Sequence, residues 1–150
     1  MSENLQRLGA YSERMFAGDR EAVYEYFAED FMSHVTDRVN PELSGTDIRG
    51  QELHFWQQAK EAFPDMDFRV NLLVESGDLI VSNWTLTGTH TGSAFYRVPP
   101  SGERVEINGT AVLRFRDGLI VEHWGGPHCM EGVGLVPTTV AATAGAAAAS

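Results

Sequence analysis

The chain predicts an α+β fold, a cone-shaped barrel in which three N-terminal helices pack on a curved antiparallel sheet. Three observations lead there. Apolar residues recur at helical spacing up to Pro64, they switch to a period of two after Asp65, and a turn signal separates each later strand from the next. A parallel sheet would need helices between its strands, and none is signalled after residue 65.

Leu5, Leu8, Ser12, Met15 and Phe16 share one helical face, which sets the first helix at about Glu3 to Phe16. Gly18 closes it, and Asp19 caps a short second helix with Val23 and Phe27 on its buried side. Residues 31–35 alternate only weakly, and the polar stretch 36–46, with Pro41 and Gly45, reads as a loop able to act as a lid. Leu53, Trp56, Ala59, Lys60 and Phe63 define the third helix, which Pro64 stops because the residue before proline disfavours the α region.

Beyond Asp65 the spacing predicts a strand with Phe68, Val70, Leu72 and Val74 on one side. Ser76-Gly77-Asp78 turns it into a strand over 79–90. A loop through Pro99-Pro100-Ser101-Gly102 leads to a strand over 105–116, and Asp117-Gly118 leads to a last strand over 119–124. Four strands in series make an antiparallel meander. One face of it is expected to pack on the helices around a cavity and the other to be covered by a second copy, giving a homodimer.

A length of 150 residues with 43% hydrophobic and 21% charged side chains suits one folded domain, taken as residues 1–137. Residues 138–150, mostly Ala and Thr, offer no large side chain to anchor them and are expected to be disordered. Eleven basic residues against twenty-one acidic ones leave a net charge of -10, which repels phosphate backbones and anionic lipid, so neither nucleic acid nor membrane is expected as a partner. No stretch approaches the roughly 20 apolar residues of a membrane span. The lone Cys129 cannot form an internal disulfide, and the polar N-terminal segment lacks the apolar core of a signal peptide, so the expected location is the cytoplasm.

Six phrases carry a family resemblance: Asp30-Phe31-Met32-Ser33-His34, Ala62-Phe63-Pro64-Asp65, Ser76-Gly77-Asp78, Gly88-Thr89-His90-Thr91-Gly92, Pro99-Pro100-Ser101-Gly102 and the run from Arg114 to Trp124. In that order and spacing, over about residues 4–137, the chain resembles the SnoaL-like polyketide cyclases of the nuclear-transport-factor-2-like superfamily. The resemblance implies a cofactor-free enzyme that closes a ring in a polyketide-like small molecule by acid/base chemistry, an intramolecular aldol condensation being the best-known case. It also implies an acid/base aspartate four residues after the tryptophan of the Glu-x-Trp motif, where this chain carries His128 instead.

Imidazole exchanges protons near neutral pH. His128, at the family's acid/base position, is the first catalytic candidate. His34 and His90 follow it, because in the family's cone all three would meet at the cavity mouth. His54, on a helix, and His123, turned away from Trp124 by strand alternation, read as structural or exposed. Glu122 and Trp124 share one strand face, and Asn108, Thr110 and Arg114 share one face of the neighbouring strand, which supplies donors for an oxyanion if that face lines the cavity. Arg114 with Glu122 also reads as a cross-strand ion pair, and Asp65 as a turn and cap residue. Trp56, Phe63, Trp84, Phe95 and Tyr96 are candidate apolar walls for a polycyclic ligand, each equally well explained as core.

His123, His128 and Cys129 are close in sequence, but their spacing matches no zinc site, so no metal is expected. No phosphate loop, dinucleotide fingerprint or nucleophile elbow is present in the sequence. The competing readings keep the pocket and change the chemistry, to a hydroxylase, isomerase, dehydratase or epoxide-opening enzyme, or drop catalysis for a small-molecule-binding dimer.

Overall fold

A computed structural model describes residues 1–35 and 47–131 of the chain. The expected lid at 36–46 and tail at 138–150 lie outside the described residues.

Helix α1 spans Glu3–Phe16. The Ser2 hydroxyl caps it by accepting the Leu5 N–H at 3.1 Å, and Gly18, at φ 91°, closes it, the Asp19 N–H bonding back to the Arg14 carbonyl. Asp19 then accepts the Glu21 N–H and leads into the five-residue α2 (Ala22–Tyr26). Phe27, expected on the buried side of that helix, is instead the first residue of a strand, β1 (Phe27–Ser33), that the weak local alternation had hidden. Helix α3 (Ile48–Ala62) starts at Asp47 and ends one residue before Phe63-Pro64, where the steric rule puts it.

Four longer strands follow: β2 (Asp67–Ser76), β3 (Leu79–Thr89), β4 (Arg104–Arg116) and β5 (Leu119–Glu131). They form the expected antiparallel meander, and β1 adds to it by pairing parallel with β5, for a spatial order β1-β5-β4-β3-β2. The sheet is curved but not closed into a barrel. At the β4–β5 hairpin Asp117 and Gly118 both take positive φ, 54° and 76°, the backbone of a type I′ turn whose twist matches the strands it joins.

Two sequence expectations fail here. β5 does not stop at Trp124; Gly125 and Gly126 adopt φ 99° and 131° inside the strand, which stays paired with β4 as far as Glu131. In β2, Val70 pairs with Trp84 and Leu72 with Asn83, so Asn71 is an extra residue. That bulge reverses the alternation: Phe68 and Val70 face the helices, whereas Leu72 and Val74 face away from them.

The helix-facing side of the sheet carries two apolar clusters. One joins Tyr11, Val23, Tyr26, Phe27, Phe31 and Leu53 to Ile80, Leu113, Phe115 and Ile120. The other joins Ala59, Ala62 and Phe63 to Trp84, Leu86, Phe95, Val105 and Ile107. Both rest on one parity of β3 and β4, while the opposite parity carries Asn83, Thr85, Glu106, Asn108, Thr110 and Arg114.

Carboxylates tie the periphery together. Asp65 accepts both the N–H and the hydroxyl of Thr89 at 2.7 Å, the turn-and-cap role read from the sequence, and Arg116 clasps both oxygens of Asp30 at 2.6 and 2.9 Å. These bonds hold the Asp65 and Asp30 carboxyls below the usual aspartate range, as the Arg14 and Tyr24 hydrogen bonds do for Asp19 and Asp47.

Their stabilisation is whole above the ordinary aspartate value of about 3.9 and drains away as the pH falls through the lowered folded values, the Tyr24 bond to Asp47 included. The urea midpoint of the wild type is therefore expected to fall below about pH 4. The same midpoint in Asp65→Asn should lie lower at pH 7 and converge on the wild type in acid, with tryptophan fluorescence as the probe.

Candidate active site

Between the two apolar clusters the helix-facing side changes character. Ser82, Ala111 and Gly125 lie in register across β3, β4 and β5 and form a transverse row of very small side chains. The rows on either side hold the buried Ile80 and Leu113 and the buried Trp84, yet Ser82 and Ala111 are only half-buried and Gly125 is exposed. Solvent thus reaches the concave side of the sheet between the clusters, which leaves a hollow bordered by both of them.

His123 borders it. The residue pairs with Leu113, so it shares the helix-facing parity, and its Nδ1 lies 2.6 Å from Glu52 Oε2 on α3. The two side chains are 15% and 12% exposed. A carboxylate only accepts hydrogen bonds, so Nδ1 donates, and in the neutral ring the lone pair sits on Nε2. That Nε2 is buried with no partner among the described residues, an arrangement that costs about 1–3 kcal/mol in a folded protein. Tyr11 of α1 is close enough for the Glu52 charge to act on it; burial first, and that charge second, push its phenol far above the usual value.

The expected catalytic imidazoles do not meet. His128 fills a bulge in β5 opposite Asn108 and Gly109, on the helix-free face, exposed and with Nε2 3.2 Å from the Thr110 hydroxyl. His34 stands on that same face, stacked on Trp124 at 4.8 Å with Nε2 2.9 Å from Glu122 Oε2. His90 is instead enclosed in the second apolar cluster, edge-on to Phe63, with Nε2 bonded to the Ser93 carbonyl at 2.9 Å. Strand parity separates them: Glu122, Trp124, Asn108, Thr110 and Arg114 all face away from the helices. His123 and His128 consequently lie on opposite faces of β5.

On the helix-free face the charged group is an ion-pair network. Arg114 bonds Asp78 at 2.9 Å and Glu122 at 3.2 Å, the cross-strand pair read from the sequence, and its guanidinium lies over Trp124. A polar ladder continues it, with Thr85 donating to Asn108 and Asn83 donating to Thr110, both within 2.9 Å. Of the candidate walls, Phe63 and Phe95 are wholly enclosed and Trp84 almost so, which makes them core. Trp56 and Tyr96 are partly buried beside that cluster, and burial raises the Tyr96 phenol above its usual range.

The register that brings His123 to this side is set by a bulge and was not legible in the sequence. The two-residue Asp117-Gly118 hairpin pairs Arg116 with Leu119 and Phe115 with Ile120, and continued regularly it would set Leu113 against Glu122; an extra residue after Ile120 shifts the pairing so that Arg114 meets Glu122 and Leu113 meets His123. Glu52 lies four residues before Trp56 on the apolar side of α3.

A family model described as SnoaL-like polyketide cyclase matches residues 6–131. Among solved structures, wild-type IdmH from Streptomyces antibioticus, a candidate polyketide cyclase, is 30% identical with a TM-score of 0.67, over 88% of this chain and 94% of that one. AclR from Streptomyces galilaeus, a candidate hydroxylase, is 27% identical with a TM-score of 0.59, over 82% and 89%. A candidate SnoaL-like polyketide cyclase from Jannaschia shares the fold at 22% identity and a TM-score of 0.65, over 86% and 85%. Curated proteins give no match. With the cone architecture and a family match covering most of its length, the chain belongs to the SnoaL-like polyketide cyclase family.

Proposed function

We propose that this chain closes a ring in a polyketide-type intermediate by proton transfer alone, without a cofactor. The observation that carries the reading is the solvent-reached hollow on the concave side of the sheet, with an imidazole at its border and apolar clusters on both flanks. Family membership and the likeness to IdmH support the substrate class. In an aldol closure a base takes the proton from a carbon beside one carbonyl, and the enolate carbon attacks a second carbonyl within the same molecule. The resulting alkoxide then takes the proton back. Apolar walls favour this chemistry because they hold the flexible chain folded on itself and keep water from the enolate.

The test is a panel of polyketide-type 1,3-dicarbonyl esters incubated with purified protein in heavy water. Ring-closed product and faster deuterium uptake at the activated carbon are expected, read by mass spectrometry. Binding of these esters with neither uptake nor closure would reduce the protein to a carrier.

A further inference from the structure

We propose that His123, held by Glu52, is the acid/base that works in the hollow; this rests on the function proposed above. Four observations converge. His123 is on the helix-facing parity, one paired row from the Ser82-Ala111-Gly125 floor. Its Nδ1 is bound to a carboxylate at 2.6 Å, which fixes the tautomer and leaves Nε2 as the basic atom. That Nε2 has no partner among the described residues. The remaining imidazoles are engaged elsewhere: His34 and His128 on the opposite face, His90 inside the apolar cluster and His54 with Gln58 on α3.

The step balances without an external reagent. The proton on the carbon beside the first carbonyl moves to Nε2, and the C–H bonding pair becomes the enolate. The enolate carbon bonds to the second carbonyl carbon, whose π pair moves onto oxygen, and the imidazolium returns its proton to that oxygen. Glu52 touches no reacting atom in this step. It is a positioning residue that keeps the ring oriented and offsets the imidazolium charge. Among the described residues Glu52 from α3 bonds the ring, and the Tyr11 phenol from α1 feels the Glu52 charge.

Four variants and one spectrum test this. In His123→Gln, kcat for ring closure and for deuterium exchange should fall about 10²- to 10⁴-fold with KM and melting temperature little changed. Added imidazole should restore part of the rate in His123→Gly. Glu52→Gln should lower kcat and alter the shape of the pH–rate profile, which a purely structural role would leave alone. Retention of kcat in His123→Gln, or transfer of the loss to His128→Ala, overturns the assignment.

Nitrogen-15 spectra of histidine-labelled protein decide the matter independently of turnover. His123 should appear as the Nδ1–H tautomer, and 2-naphthol, an enolate mimic, should shift its resonances and leave those of His128 in place. An Nε2–H tautomer, or a shift at His128 instead, overturns the assignment. A wild type that turns nothing over while the spectrum behaves as described sinks the proposed function and leaves the dyad as the binding group of the hollow.

Discussion

Ala111→Phe is expected to leave the protein folded and its ring-closing activity at least about 100-fold lower in kcat/KM. Ala111 sits in the middle of the small-residue floor, paired with Ser82 on one side and Gly125 on the other. A phenyl ring there occupies the space a substrate needs and displaces anything bound by more than the roughly 1 Å that can cost two orders of magnitude. Stability should hold or rise, because the new ring covers concave surface that solvent now reaches. Val112→Phe is the matched control. Val112 pairs with Trp124 on the helix-free face, so its enlargement should spare turnover. Full activity in Ala111→Phe would place the chemistry outside the hollow.

Trp84→Ala is expected to destabilise the fold by about 3–5 kcal/mol, seen as a lower urea midpoint. Trp84 is 4% exposed and contacts Phe55, Trp56 and Phe68 with ring centroids 5.1 to 5.9 Å away. It also lies across Gly109, where an added Cβ would come within 2.1 Å of the indole. No neighbour can collapse into that space without leaving its own strand or helix, so most of the cavity should persist. Trp84→Phe should recover a large part of the loss. A cost under about 1 kcal/mol for the alanine variant would mean that the indole is a ligand wall rather than core.

Local spacing resolved the helices and the meander because each signal was written within a few residues: helical periodicity up to Phe63, proline after it, and hairpin dipeptides between alternating runs. β1 escaped because its partner is remote. Phe27–Ser33 is held by parallel pairing with β5, far along the chain, and its register slips between Phe27 and Met32, so no regular alternation survives in the sequence. Gly125-Gly126-Pro127 looked like a strand end for a similar reason. Its glycines break the local pattern, and only continued pairing with β4 keeps the strand going.

The site was half legible. Glu122, Trp124, Asn108, Thr110 and Arg114 were correctly grouped by parity, and His123 was correctly turned from Trp124. The core parity of β4 does not by itself pick out His123: carried regularly across the Asp117-Gly118 hairpin, Phe115 and Leu113 point to Ile120 and Glu122, and only the bulge beside Val121 moves His123 into register with Leu113. Which aromatic residues are fully enclosed core and which stay partly buried was beyond the sequence, since Phe63, Trp84 and Trp56 all obey one helical or strand spacing and differ only in what packs on them.

The extra residue at Asn71 has a consequence for solubility. Among the described residues β2 is the rim of the sheet, hydrogen-bonded to β3 alone, and it carries Val70, Leu72, Leu73 and Val74, all substantially exposed. A straight rim with such side chains is a template on which a foreign chain can add itself strand by strand. The kink at Asn71, pinned by its side-chain bonds to Asn83 and Thr85, splits that rim into two short stretches of opposite phase. An added strand therefore has no continuous track to follow along this rim.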